Sequence, residues 1–273
     1  MNKTVWRLLS VLLVFPLHSY AADVSFGIVP QQSAKKLAAK WGPIFLYLSD
    51  KTGHNISFAT AKDIPTFEKR LLSGEYDIAY MNPYHYTVFS QKPGYEAFAR
   101  QANKSIKGIV VVRKDSEIKN LAELNEQQLA FPSPAAFAAS VLPRAKMNLD
   151  GIAFTPNYVS SHDSVYLAVS KGIFPAGGGV YRTFNNTSPK VKESLKVLWD
   201  TPGYTPHAFA ASPDLDADIL KSISKAMMEM TKDPLGQSLL KSINFKGITK
   251  ADDKDWDDVR SLEITLLSHL LEQ

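Results

Sequence analysis

The stretch Leu129-Ala130-Phe131-Pro132-Ser133-Pro134-Ala135-Ala136-Phe137-Ala138-Ala139-Ser140-Val141-Leu142-Pro143 decides how the chain is read. It opens as a short apolar strand, Leu129–Phe131. Ser133 then stands where an N-cap belongs, with Pro134 at the first helical position. Ala135, Ala136, Ala138 and Ala139 follow, small helix-favouring residues that leave the start of the helix bare. A bare helix N-terminus offers unpaired N–H groups and the positive end of the dipole, which suits an anion. The competing reading is an ordinary capped helix of an α/β protein.

Working outward, short strands and helices alternate. Val24–Val29 reads as a strand and Ala34 to about Ser49 as a helix, with Leu37, Trp41, Ile44 and Leu48 on one face. Gly42-Pro43 is expected to kink or split that helix. Asn55–Ala59 and Tyr76–Met81 read as strands, with a helix at Ile64–Leu72 between them. Lys107–Arg113 is a β-prone run, Phe154–Val159 another strand, and Ser160-Ser161 a cap for a helix from His162. Asp214–Lys232 and the tail from Trp256 read as helices. The alternation predicts parallel sheets. Ligands of such sheets sit beyond the carboxyl ends of strands. The loops at Pro30–Ser33, Asn82–Tyr86 and Phe131–Ala136 all hold that position.

The chain of 273 residues is 45% hydrophobic and 21% charged, which excludes disorder and a multi-span membrane protein. No basic run interleaves with aromatics, so nucleic acid is not expected as a partner. Lys3 and Arg7 precede a short apolar run, Leu8–Leu17, and Ser19-Tyr20-Ala21 offers small residues for cleavage. Residues 1–21 are therefore read as a cleavable signal peptide, and the mature protein as periplasmic. Without Lys3 and Arg7 the formal charge falls from +4 to about +2. There is no cysteine, so an exported domain of this size is held by its core alone.

Several residues are candidates for a site. Ser161-His162-Asp163-Ser164 carries the letters of a catalytic triad, but neighbouring helical residues point about 100° apart and cannot form the relay among themselves. A second helix N-terminus is the better reading, with His162 and Ser164 donating into a cleft, against a solvent-exposed cap. Tyr84-His85-Tyr86 suits ligand packing, against burial under a lobe edge. Gly177-Gly178-Gly179 lacks the spacing of a nucleotide loop and fits a close backbone approach. Arg182 could grip an oxyanion or form a surface ion pair, and His207 could reach a cleft or stay solvated. The histidines have no zinc-type spacing, so neither metal nor cofactor is expected. No G-x-S-x-G elbow supports a secreted hydrolase, and the chain is not read as an enzyme.

The order of motifs resembles the phosphate/phosphite/phosphonate ABC-transporter substrate-binding family. The pieces are Leu46-Tyr47-Leu48-Ser49 with Thr52-Gly53, Gly74–Ala79, Asn82-Pro83-Tyr84, Gly108–Val112, Phe131-Pro132-Ser133 and Tyr158–Ala168. The resemblance implies a type II periplasmic binding protein: two α/β lobes joined by two crossing strands, with a ligand cleft between them. Lobe one would be residues 23–113 and 202–273, and lobe two residues 114–201. In that family a hydroxyl-rich triplet at a helix N-terminus holds the oxyanion, helped by tyrosine and histidine. Here the triplet keeps Ser133 but continues Pro134-Ala135-Ala136. His162 falls on the family's ligand-contacting histidine. Near His207 the family's phosphonate binders can place an acidic residue, where this chain reads Thr205-Pro206-His207. The ligand set expected from residues and resemblance together is Tyr47, Tyr84, His85, Ser133, Ala135, Ala136, His162, Ser164, Arg182 and His207. The expected partners are a small oxyanion and an ABC permease, with a membrane sensor kinase and a ligand without phosphorus as the alternative, and the expected state is a monomer.

Overall fold

The computed structural model describes residues 21–272, so the expected leader lies, but for Ala21, outside the described residues. The described residues form eleven strands: β1 Asp23–Ile28, β2 Asn55–Ala59, β3 Ile78–Met81, β4 Glu96–Gln101, β5 Gly108–Arg113, β6 Gln127–Phe131, β7 Phe154–Tyr158, β8 Ala176–Val180, β9 Leu195–Asp200, β10 Ala208–Ala211 and β11 Ile248–Lys250. They make two sheets, ordered β11-β4-β10-β3-β1-β2 and β7-β6-β8-β5-β9. Each sheet with its helices is one lobe.

Both sheets are mixed rather than parallel. β1 pairs parallel with β2 and β3, and β6 with β7 and β8. β10 and β5 run antiparallel to their neighbours. These are the two strands that enter a sheet straight from the other lobe, so they arrive reversed. Their entry also moves the expected lobe boundary. Gly108–Arg113 hydrogen-bonds in the second sheet, not the first. The crossings therefore lie just before Gly108 and just before Ala208, where Ile106 and Tyr204 exchange both backbone bonds at 2.8 and 2.9 Å.

Local sequence explains the helices. α1, Ala34–Thr52, starts at Ser33, whose side chain accepts from the Lys36 N–H, and stops at left-handed Gly53. It runs unbroken through Gly42-Pro43, against the expected split, because Leu37, Trp41, Ile44, Phe45 and Leu48 are all buried against the first sheet. Packing outweighs the one hydrogen bond Pro43 cannot make. α2, Ile64–Leu72, is capped by Asp63, and α3, Pro83–Phe89, by Asn82, whose side chain accepts from the His85 N–H at 2.8 Å.

The central stretch departs from expectation. Ser133 caps nothing: its hydroxyl is buried without a partner. The helix begins at Phe137, as a π-turn over Phe137–Val141 that continues as α4, Leu142–Leu149. The cause is a close backbone approach. A Cβ at Gly108 would lie 1.9 Å from the Ala138 carbonyl oxygen, and one at Gly178 would lie 1.8 Å from that of Ala139. The widened turn presses its carbonyls directly onto β5 and β8, and only glycine leaves room. The tail after Trp256 is likewise not one helix but short turns at Asp253–Trp256, Asp257–Arg260 and Ser268–Leu270. Trp256 is fully buried and its ring N–H donates to the Pro206 carbonyl at 2.9 Å, which ties the tail to the second crossing.

Two substitutions separate crowding from propensity. Gly178→Ala should cost about 3 kcal/mol or more in urea unfolding, because backbone oxygen cannot yield as a side chain would. Gly42→Ala, with nothing within 4 Å of the new methyl inside α1, should stabilise by about 0.5–1 kcal/mol.

Candidate functional site

The lobes meet across a crevice that is nearly closed. The His162 N–H, at the start of α5 (His162–Ser170), donates to the Gln31 carbonyl at 3.1 Å. Asn82 donates to the Ala135 carbonyl at 3.4 Å. Asp163 of lobe two accepts from Gln32 at 3.2 Å and pairs with Lys36 at 3.3 Å. Farther along, Asn244 donates to Asn186 at 2.9 Å. Ala135–Ala139 and Val180 of lobe two belong to the apolar core cluster of lobe one.

Between these contacts lies a small cavity of about 10 Å³, lined by Gln31, Asn82, Ala136–Ala139, His162, Val180 and His207. That is room for about one water. The residues Ala136–Ala139 are the first turn of the π-helix, whose N–H groups have no intrahelical partner. A second compartment of about 140 Å³ adjoins it, sharing Ile106, Val180 and His207 and adding Tyr80, Gln101, Lys104, Lys107 and Arg182. Among the described residues no carboxylate lines either compartment.

One chain of hydrogen bonds fixes the protonation in the crevice. Arg182 donates to the Gln31 side-chain oxygen, and the Gln31 nitrogen lies 3.1 Å from His207 Nε2. Arginine can only donate, so the Gln31 oxygen must face it and the Gln31 amide must donate onward. His207 Nε2 is then an acceptor, and its proton sits on Nδ1. Burial, with the charge of Arg182 next, pushes His207 well below its usual 6.5. His162 is fully buried too, and burial followed by Arg182 lowers it to about 3. Its Nδ1 lies 3.0 Å from the Thr183 hydroxyl, which stands 2.7 Å from the Tyr166 hydroxyl. His162 Nε2 has no hydrogen-bond partner among the described residues, and the residue lines the small cavity. The guanidinium of Arg182 lies 5.7 Å from the Tyr80 ring centre, and Tyr80 stacks on His207 at 4.9 Å.

The structure thus brings together Ala136, His162, Arg182 and His207. Ser133 and Ala135 lie beneath the same turn, buried but outside the cavity lining. The other expected residues lie elsewhere. Tyr47 donates to Asp233 on the far side of lobe one, burial and that carboxylate raising its hydroxyl to about 12. Tyr84 accepts from the Leu267 N–H at 2.8 Å and anchors the tail. His85 is fully buried with Nε2 on Glu68 at 2.9 Å. Ser164 exchanges a 2.9 Å bond with the cap Ser161. Gln31, Tyr80 and Asn82 were missed as site residues. Gln31 and Asn82 stand in loops already placed at strand ends. Tyr80 lies within β3, where alternation alone does not separate a crevice wall from core.

The chain matches, over residues 26–256, the family described as ABC transporter, phosphonate, periplasmic substrate-binding protein. It is similar to the phosphate-import protein PhnD of Mycolicibacterium smegmatis, 20% identical over 236 residues that cover 75% of this chain and 70% of that one. Its fold is similar to a binding protein component of a phosphonate ABC transporter from Pseudomonas aeruginosa, with TM-score 0.83, 17% identity, and 89% and 86% of the two chains covered. It is also similar to PhnD1 of Prochlorococcus marinus in complex with methylphosphonate, with TM-score 0.80, 19% identity, and 88% and 96% covered.

The two neutral histidines make fold stability depend on pH in a defined direction. Unfolded, each takes up a proton below about 6.5; folded, His162 resists down to about 3. The unfolded state therefore binds more protons as pH falls, and stability present above pH 6.5 is lost. Urea unfolding should show about 1.4 kcal/mol lost for His162 between pH 7.5 and 5.5, with a further loss in the same direction from His207. His162→Asn, whose amide can still reach Thr183, should remove one histidine's share of that slope.

Proposed function

Because the chain belongs to the family of periplasmic substrate-binding proteins of phosphonate ABC transporters, we propose that it captures a small phosphorus oxyanion in the inter-lobe crevice and hands it to a membrane permease. The carrying observation is the meeting of free first-turn N–H groups at Phe137–Ala139 with His162 and Asn82 in a cavity that, among the described residues, no carboxylate lines. Amide dipoles and neutral donors suit an anion that keeps its charge when desolvated. Each group has a role in this reading. The Phe137–Ala139 amides and the Asn82 amide donate to the oxygens. His162 donates from Nε2, with the Thr183 and Tyr166 hydroxyls holding its ring and tautomer. Because both histidines stay neutral, this reading has neither of them changing charge at the ligand near neutral pH.

Closure supplies the signal. The Lys36–Asp163 pair and the Gln32–Asp163, Asn82–Ala135 and Asn186–Asn244 bonds all cross between lobes and form only when they approach. A ligand that bridges the lobes adds its own contacts to that set and shifts the equilibrium towards the closed form. The small cavity is too tight for a phosphorus oxyanion as it stands, so entry requires the lobes to part and Gln31 to yield. The family places the output at a permease and the protein in the periplasm, and no observation favours a sensor kinase.

Calorimetry with methylphosphonate, phosphate, phosphite and sulfate tests this reading. Binding of at least one phosphorus oxyanion is expected. His162→Asn should weaken it by about 10- to 100-fold, the loss of one hydrogen bond to a charged group. Unchanged affinity in that variant would remove His162 from the ligand, and binding of none of the four would remove the ligand class.

A further inference from the structure

Beyond the oxyanion class, and resting on the reading above, we infer that the ligand carries a second anionic group, held in the compartment beside the first. This compartment of about 140 Å³ shares Ile106, Val180 and His207 with the lining of the small cavity, so a ligand that parts the lobes at one has the other beside it. Its charged lining is one-sided: Arg182, Lys104 and Lys107 are present and no carboxylate is.

The balance of partners sharpens this asymmetry. Lys107 already lies 3.4 Å from Asp200, so its charge is partly met. Lys104 makes no ion pair among the described residues. Arg182 makes none either, and its only side-chain hydrogen bond among the described residues goes to the neutral Gln31 oxygen. A guanidinium has five donors in a fixed fork that matches a carboxylate or phosphate edge. Most of that fork is unused, and the ring of Tyr80 holds it in place from one side. Its positive charge is also felt around the crevice, where it helps to hold Lys40 and both histidines low.

An ammonium group in this compartment would meet Arg182 and Lys104, with no carboxylate in the lining to answer it. A bare methyl would fill little of it and leave the guanidinium unanswered. A carboxylate would displace the Gln31 oxygen from Arg182 and face Lys104 across the opening. The compartment therefore selects a phosphonate whose substituent ends in a carboxylate, over alkyl and aminoalkyl phosphonates.

Competition calorimetry with methylphosphonate, 2-aminoethylphosphonate, phosphonoacetate and 3-phosphonopropionate tests this. One of the two carboxylate-bearing probes should bind at least about fivefold tighter than methylphosphonate, with 2-aminoethylphosphonate the weakest of the set. Lys104→Gln, at an exposed position that carries no fold contact, should narrow the carboxylate-to-methyl ratio, and Arg182→Gln should narrow it further. If methylphosphonate or 2-aminoethylphosphonate binds as tightly as both carboxylate probes, the inference is overturned while the oxyanion reading stands. If Lys104→Gln and Arg182→Gln leave the ratio unmoved, the compartment is not where the second group sits and the inference is again overturned. If none of the four probes nor phosphate binds, the oxyanion reading itself fails and takes the inference with it.

Discussion

The crevice depends on how closely one turn of backbone can approach a sheet. The carbonyls of Ala138 and Ala139 rest where side chains of β5 and β8 would otherwise stand, and glycine at 108 and 178 makes that possible. The contact fixes where the helix of lobe two begins. It widens the first turn into a π-turn and sets Ala136–Ala139 in the lining of the small cavity between the lobes. Asn82, at the end of β3, then meets the Ala135 carbonyl from the other side. A sterically set turn, not a capping hydroxyl, positions the amides.

The electrostatics follow from burial around that turn. Two histidines are desolvated within reach of one arginine, and all three cannot be charged together. Neutral imidazoles are the outcome, so in the proposed reading an anion would meet oriented dipoles and a single guanidinium. Gln31 is the hinge of this arrangement because it is the one side chain that can accept from Arg182 and donate to His207 at once. Its loop sits at the carboxyl end of β1, where an open α/β sheet places its ligands.

Much of the architecture was legible in the sequence, for reasons that particular residues make clear. Ser161 caps its helix as expected, and Ser33 and, without having been singled out, Asp63 and Asn82 cap theirs in the same way, because an Asx or Ser side chain before an apolar period satisfies local N–H groups whatever the tertiary context. Ser133 followed by Pro134 carries the same local signature and fails. There the deciding force is contact with β5 and β8, strands distant in sequence, which no local pattern encodes. Among the candidate site residues, Arg182, His162 and His207 reach the crevice because they flank strand ends or crossings. Tyr84 and His85 share such an end, but α3 turns their side chains into the body of lobe one, where the tail and Glu68 meet them. A strand end tells which loop faces a crevice, not which side of a short helix does.

The Arg182–Gln31–His207 chain has a consequence for affinity. One of the protein's own amides holds the guanidinium, so in the proposed reading a ligand is measured by difference against an internal competitor tethered at the site. Apparent affinity is therefore lower than the contacts alone would give, by the fraction of molecules in which the amide has let go. Such a receptor discriminates by exchange. A solute that satisfies the guanidinium no better than a carboxamide gains nothing at Arg182 and must be held by the rest of the cavity.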